Sequence, residues 1–213
     1  MTQLDVALTD YVLTVECGIF IYLLAPVRKN LRSLQFWFVI FFLSIGLAAL
    51  IGGTVHGFFD HSRRVGDRIL WPMTMVVIGM TSLAGIQVAA TMYFGGKHAY
   101  RILGIVFASF LVYCFIVLRI TDNFLVAIVG YLPALIFLGA VFMKDYLATR
   151  RNAYLAGFLG IGTVLLASII QQARVSIHPQ YFNYNALYHV LQGAGLLMIF
   201  MTARDLSDRE LEF

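Results

Sequence analysis

Charge is what this sequence has least of. Only 12% of its 213 residues are Asp, Glu, Lys or Arg, about half the share usual in a soluble domain. So few charges cannot solvate the surface of a globule this size, which argues against a water-soluble fold. Lysine is scarcest: Lys29, Lys97 and Lys144 are the whole set, and all fall in expected loops or at helix ends. A retinal photoreceptor needs an intramembrane lysine for its Schiff base, so that reading fails. The two cysteines, Cys17 and Cys114, lie in apolar blocks and form no CxxC. They read as small packing residues rather than a disulfide framework or metal knuckle. Met1 to Asp10 carries no basic cluster and no short apolar run, so a cleaved leader is not expected and the first apolar block reads as a retained helix. The net charge of +4 comes without basic runs or interleaved aromatics, which gives no nucleic-acid signature.

What is abundant is hydrocarbon. Hydrophobic residues make up 61% of the chain and come in long blocks with the charges between them. A hydrocarbon core about 30 Å thick needs roughly 20 apolar residues in a helix. Seven blocks qualify, at about 9–27, 34–58, 69–94, 102–120, 124–146, 153–173 and 186–203, the fifth containing Pro133 as a possible kink. The expected fold is an all-α integral membrane bundle of seven transmembrane helices, one domain over residues 1–213. Short connections imply antiparallel sequential neighbours. Ten basic residues fall on one side (Arg28, Lys29, Arg32, Lys97, Arg101, Lys144, Arg150, Arg151, Arg204, Arg209). Five fall on the other (Arg63, Arg64, Arg68, Arg119, Arg174). The richer side is expected in the cytoplasm, with the N-terminus outside and the C-terminus inside. The compact loops suit a multi-pass protein of a plasma (inner) membrane.

Ionisable residues inside a bilayer are costly and mark functional sites by default. Here they gather at one end. Helix 2 closes on His56 and Asp60, helix 7 opens on Asn185, Tyr188 and His189, and Glu16 sits about two turns into helix 1. Asp67 precedes helix 3, Arg119 ends helix 4, Gln171 and Gln172 end helix 6, and His178 lies in the last loop on that side. His56 and Asp60 are four residues apart, as are Asn185 and His189, and i, i+4 neighbours share a helix face. Imidazole and carboxylate are ordinary zinc ligands, and an open coordination position for water makes such a site catalytic. Bound water loses its proton more easily, and a nearby carboxylate, Asp67 or Glu16, can take it. An equally simple reading is that His56 and His189 are interfacial hydrogen-bonding groups, with Arg119 snorkelling or paired with Asp122.

The pattern resembles the CREST superfamily of seven-helix membrane hydrolases, which includes the alkaline ceramidases. That family has a histidine at the end of helix 2 with a serine four residues before it, an aspartate at the start of helix 3 and an HxxxH pair opening helix 7. His56, Asp67 before Trp71-Pro72-Met73, and His189 match those positions, while Gly52 stands for the serine and Asn185 for the first histidine of the pair. The resemblance implies zinc on three histidines, with the aspartate handling activated water. With Asn185 in place, Asp60, Glu16 or His178 would have to complete the metal set.

The leading expectation is therefore a zinc-dependent hydrolase that cleaves an amide or ester bond of a membrane lipid. Its metal set would be His56, His189 and Asp60, with Asp67 and Glu16 in catalysis. Asn185, Tyr188, Arg119 and His178 would surround the substrate. The alternative is a non-enzymatic binding or transport bundle with a polar ligand or ion in the same place. Glycines 52, 53, 79, 85, 157, 160 and 162 would allow its helices to pack closely.

Overall fold

The computed structural model describes residues 3–24, 31–59 and 65–211. Seven α-helices follow one another: α1 (Leu4–Leu24), α2 (Leu34–Phe58), α3 (Trp71–Phe94), α4 (Gly96–Arg119), α5 (Phe124–Thr149), α6 (Asn152–Gln172) and α7 (Tyr184–Leu211). A π-helical turn, Gly66–Leu70, runs directly into α3. Every helix is long and apolar enough to cross a bilayer. Even the 21 residues of α1 reach about 31 Å at about 1.5 Å per residue. The chain is an integral, multi-pass membrane protein, and no β-strand occurs among the described residues beyond the isolated bridge between His178 and Phe182.

Polar side chains set the helix starts. The Ser33 hydroxyl accepts from Phe36 N, and Asn123 Oδ1 accepts from Leu125 N at 2.9 Å. Asn183 Oδ1 takes both Asn185 N and Ala186 N, and its own N–H donates to Asp5 Oδ2 at 3.0 Å. Gln3 N donates to His56 O at 2.9 Å. These two bonds tie the start of α1 to the start of α7 and the end of α2, so the three ends lie together. Pro133 does not break α5, which runs on from Phe124 to Thr149.

Three boundaries differ from hydropathy by five residues or more. The helix α1 starts at Leu4, not near Thr9, α4 starts at Gly96, not near Ile102, and α7 continues past Ala203 to Leu211. Backbone hydrogen bonding does not stop where apolarity does. In the extension of α7, Asp205 meets Arg151 Nη2 at 3.1 Å. Both side chains are about a third exposed, so the pair adds at most about 1 kcal/mol.

The helices do not all pack equally on their sequence neighbours. Contacts run α1–α2–α3–α5–α6–α7 and back to α1, a closed ring of six. The helix α4 packs chiefly on α3, outside the ring. Of the sequential pairs, α4 and α5 pack least, meeting where Tyr113 reaches Gly130 and Val117 reaches Ala127. Lipid is as apolar as a leucine side chain, so an all-apolar helix gains nothing by entering the ring, and close fit decides. Tyr113 supplies the fit for α4. Its ring lies against Gly79 of α3 and Gly130 of α5, where a Cβ would meet it, and its hydroxyl donates to Met75 O at 2.8 Å.

Opposite α4, α6 and α7 meet backbone to backbone. A Cβ on Gly160 would lie 2.6 Å from Gly195 O, and one on Gly195 would lie 2.8 Å from Gly160 O. One turn away, a Cβ on Gly157 would meet Thr202 Oγ1 at 2.7 Å. Gly53 is similarly pressed against Asp10 Cβ of α1. Gly52 and Gly85 would take a Cβ at ordinary contact distance, and Gly162 faces open space. The close-packing role assigned to Gly162 therefore fails, because it points away from every neighbour.

Candidate functional site

Inside the ring lies a cavity of about 250 Å³. Six helices line it and α4 contributes nothing. Its walls grade from polar to apolar along the membrane normal. Asp10, His56, Gln171, Asn185, Tyr188, His189 and Gln192 line the end where α1 and α7 begin. Phe41, Ile45, Leu135, Val164, Leu196 and Ile199 dominate the rest, whose polar groups include Thr81 and Ser82, hydrogen-bonded to Ser44 and to Gly130 O. The tail-end residues Phe41 and Ile45 sit far from the close of α2 at Phe58, whereas His56 is in its last turn. The gradient follows from helix direction, each polar residue being within a few turns of the same end of the bundle.

The centre of the polar end is a pair that the sequence reading did not assemble. His189 Nε2 lies 3.3 Å from Asp10 Oδ1, and His189 Nδ1 lies 3.1 Å from Thr9 Oγ1. The Thr9 hydroxyl donates to a carbonyl of its own helix, Val6 O or Asp5 O. Its oxygen is then free to accept from His189 Nδ1–H. The Asp10–His189 contact in turn requires one proton between Oδ1 and Nε2. Both imidazole nitrogens are thereby engaged, and Asp10 Oδ2 is left as an acceptor. That oxygen is buried and without a hydrogen-bond partner.

Asp10 is a core residue of α1. The buried positions Val6, Asp10, Leu13, Cys17, Phe20 and Leu24 follow alternating four- and three-residue steps, the spacing of a helix face turned to its neighbours. Hydropathy hid it, because a carboxylate near the end of an apolar block reads as the end of the span. The step pattern was the signal that could have found it.

A second polar cluster braces the cavity from α5, α6 and α7. Gln171 Nε2 donates to Asn185 Oδ1 at 3.0 Å. Tyr131 and Ser168 share a hydrogen bond at 2.7 Å, and buried Tyr188 lines the cavity beside Tyr131. At the rim, His56 meets the edge of Trp71, ring centroids 6.2 Å apart. The Trp71 indole donates to Asp122 O at 2.9 Å.

The expected site residues separate into three groups. His56, His189, Asn185 and Tyr188 all reach the cavity. Glu16, Arg119 and His178 do not line it. Glu16 lies six residues deeper on α1 than Asp10 and is packed against Gly193 of α7, where a Cβ would meet Glu16 Oε2 at 2.7 Å. Arg119 and His178 are exposed. His178 Nδ1 accepts from Gln180 N and Tyr181 N, which folds the turn before α7. Asp60 lies outside the described residues. Asp67 is in the π-helical turn, and its side chain also lies outside them.

Among the described residues no three His, Cys, Asp or Glu are placed to hold the metal ion expected from the CREST resemblance. His189 is contacted at its two ring nitrogens by Thr9 and Asp10, while Asp60 and the Asp67 side chain lie outside the described residues.

Residues 6–208 match a family described as a family of unknown function (DUF6962), and the chain belongs to that family. No curated protein and no solved structure matches it.

Proposed function

We propose that this member of the DUF6962 family binds an amphiphilic, lipid-like molecule inside its helix ring, without a metal. The observation that carries this is the graded cavity. Polar side chains from α1, α2, α6 and α7 close one end, and the rest of the wall is mostly hydrocarbon, with the hydroxyls of Thr81, Ser82 and Tyr131 among it. Small-molecule sites have this form, mostly apolar with a few convergent polar groups that fix orientation. A headgroup would sit by Asp10, His189 and Asn185, with the tail between α2, α5 and α7. The excess of basic residues at the opposite end supports a topology with the N-terminus and the headgroup end outside and the C-terminus in the cytoplasm. The short loops support placement in a plasma membrane.

The test is extraction of the purified protein with organic solvent and mass analysis of what it carries. About one amphiphile per chain is expected, and it should be lost in Ala48→Phe, which places a ring in the cavity wall. Carriage that is unchanged in a well-folded Ala48→Phe protein would refute an internal site.

A lipid hydrolase of the CREST kind is the second reading. It is favoured by one observation, that His56 and His189 line the same cavity. It would require Asp60 or Asp67 to complete a metal set. Metal analysis of protein purified without chelator decides between the two. The binding reading expects no stoichiometric metal, whereas one zinc per chain that is lost in both His56→Ala and His189→Ala would replace it with the hydrolase.

A further inference from the structure

We infer that the cavity selects a ligand whose polar end donates hydrogen bonds and carries no negative charge: a long-chain amine or alcohol rather than a fatty acid or a phosphate ester. This rests on the binding role proposed above and names its ligand class. Two observations carry it.

The first is a pair of orphaned oxygens. Among the described residues, Asp10 Oδ2 and Gln171 Oε1 are both buried without a hydrogen-bond partner, and both residues line the cavity. Asp10 is 4% exposed and Gln171 9%. Buried polar atoms are normally paired, and leaving one unpaired is unfavourable. The geometry also fixes what is missing. Asp10 Oδ1 is held by His189, and the amide nitrogen of Gln171 is spent on Asn185. What remains are acceptors, and only a donor satisfies an acceptor.

The second concerns charge. Among the described residues that line the cavity there is a carboxylate and no lysine or arginine. An anionic headgroup beside Asp10 would meet that carboxylate with no guanidinium or ammonium from these residues to offset it. An ammonium or hydroxyl group placed beside Asp10 Oδ2 meets the acceptor directly.

Gly52 makes the idea testable without touching Asp10. A Cβ at Gly52 would stand 3.8 Å from Asp10 Oδ2 and 3.8 Å from Thr74 Cγ2, ordinary contact distances. A serine there places a hydroxyl within reach of the orphaned oxygen and so supplies from the protein the donor that the ligand would bring. An alanine adds the same bulk without the donor.

The experiment measures the affinity of detergent-purified protein for an amine, an alcohol and a carboxylate of one chain length, by displacement of a fluorescent fatty-chain probe. Gly52→Ala, Gly52→Ser and Ala48→Phe are measured in parallel. The amine and the alcohol are expected to displace the probe at least tenfold better than the carboxylate. Gly52→Ser is expected to bind them roughly tenfold more weakly than Gly52→Ala, the equivalent of one buried hydrogen bond. A carboxylate that binds as well as the amine, in a way that Ala48→Phe abolishes, would overturn the donor rule while leaving an amphiphile site standing. Equal losses in Gly52→Ser and Gly52→Ala would overturn the role of Asp10 Oδ2. Binding of all three that is indifferent to Ala48→Phe would overturn both the inference and the reading beneath it.

Discussion

Gly160→Ala is expected to lower the stability of the purified protein by roughly 1–3 kcal/mol, despite alanine being the better helix former. The reason is what the new methyl group would meet. At Gly160 it would lie 2.6 Å from the carbonyl oxygen of Gly195, with Ile199 and Met198 at 3.0 Å. A side-chain terminus can swing aside, but a helix backbone cannot, so α6 and α7 would have to move apart along their whole contact. Gly195→Ala faces the reciprocal obstacle, Gly160 O and the Val164 backbone, and is expected to behave alike. Gly162 supplies the control. It is on the same helix and has nothing within 4 Å. Gly162→Ala should be neutral or stabilising by about 0.5–1 kcal/mol, the helix preference of alanine over glycine. Thermal unfolding of the three variants in one detergent measures this. A Gly160→Ala protein no less stable than Gly162→Ala would show that α6 and α7 are not held by the glycine contact.

Asp10→Ala should have an effect of similar size for a different reason. It removes the partner of His189 Nε2 within the ring. Leaving a buried hydrogen-bonding group without its partner costs about 1–3 kcal/mol. Asp10→Asn, which can still hydrogen-bond the imidazole, should lose about 1 kcal/mol. Because the two residues act as a unit, the double variant Asp10→Ala, His189→Leu should be more stable than the sum of the single losses implies, by about 1–3 kcal/mol. Strict additivity in that cycle would mean that the pair does not exist in the folded protein. Glu16→Gln offers a comparison on the same helix. Glu16 has no hydrogen bond or ion pair among the described residues and does not line the cavity, so its loss should leave ligand binding intact.

Much of this was legible in the residues. The seven spans followed from block length and the small share of charge, since only helices and closed barrels satisfy the backbone in hydrocarbon and apolar blocks of about 20 residues suit helices. The gathering of polar groups at one end followed from counting which helices run in which direction. His56, His189, Asn185 and Tyr188 reach the cavity as their positions suggested. Asp10 was hidden because hydropathy averages over a window and reads a carboxylate as a boundary, although its place in the four- and three-residue steps of α1 marked it as a core position. Gln192, also on the cavity wall, stands four residues after Tyr188 and three after His189, a helical spacing that the sequence reading did not use.

By itself, then, the sequence determined the solvent of this protein, the number of its helices and the end of the bundle at which its chemistry is placed. Those properties depend on composition and on distances along one chain. The tertiary structure alone decided that α4 stands outside the ring, that Glu16 and His178 do not line the cavity, and that His189 faces Asp10. In a bilayer, burial does not tell an apolar helix where to go. Position is set by close fit between particular surfaces, here Tyr113 against Gly79 and Gly130 and Gly160 against Gly195, and such fits between distant segments have no periodicity to read.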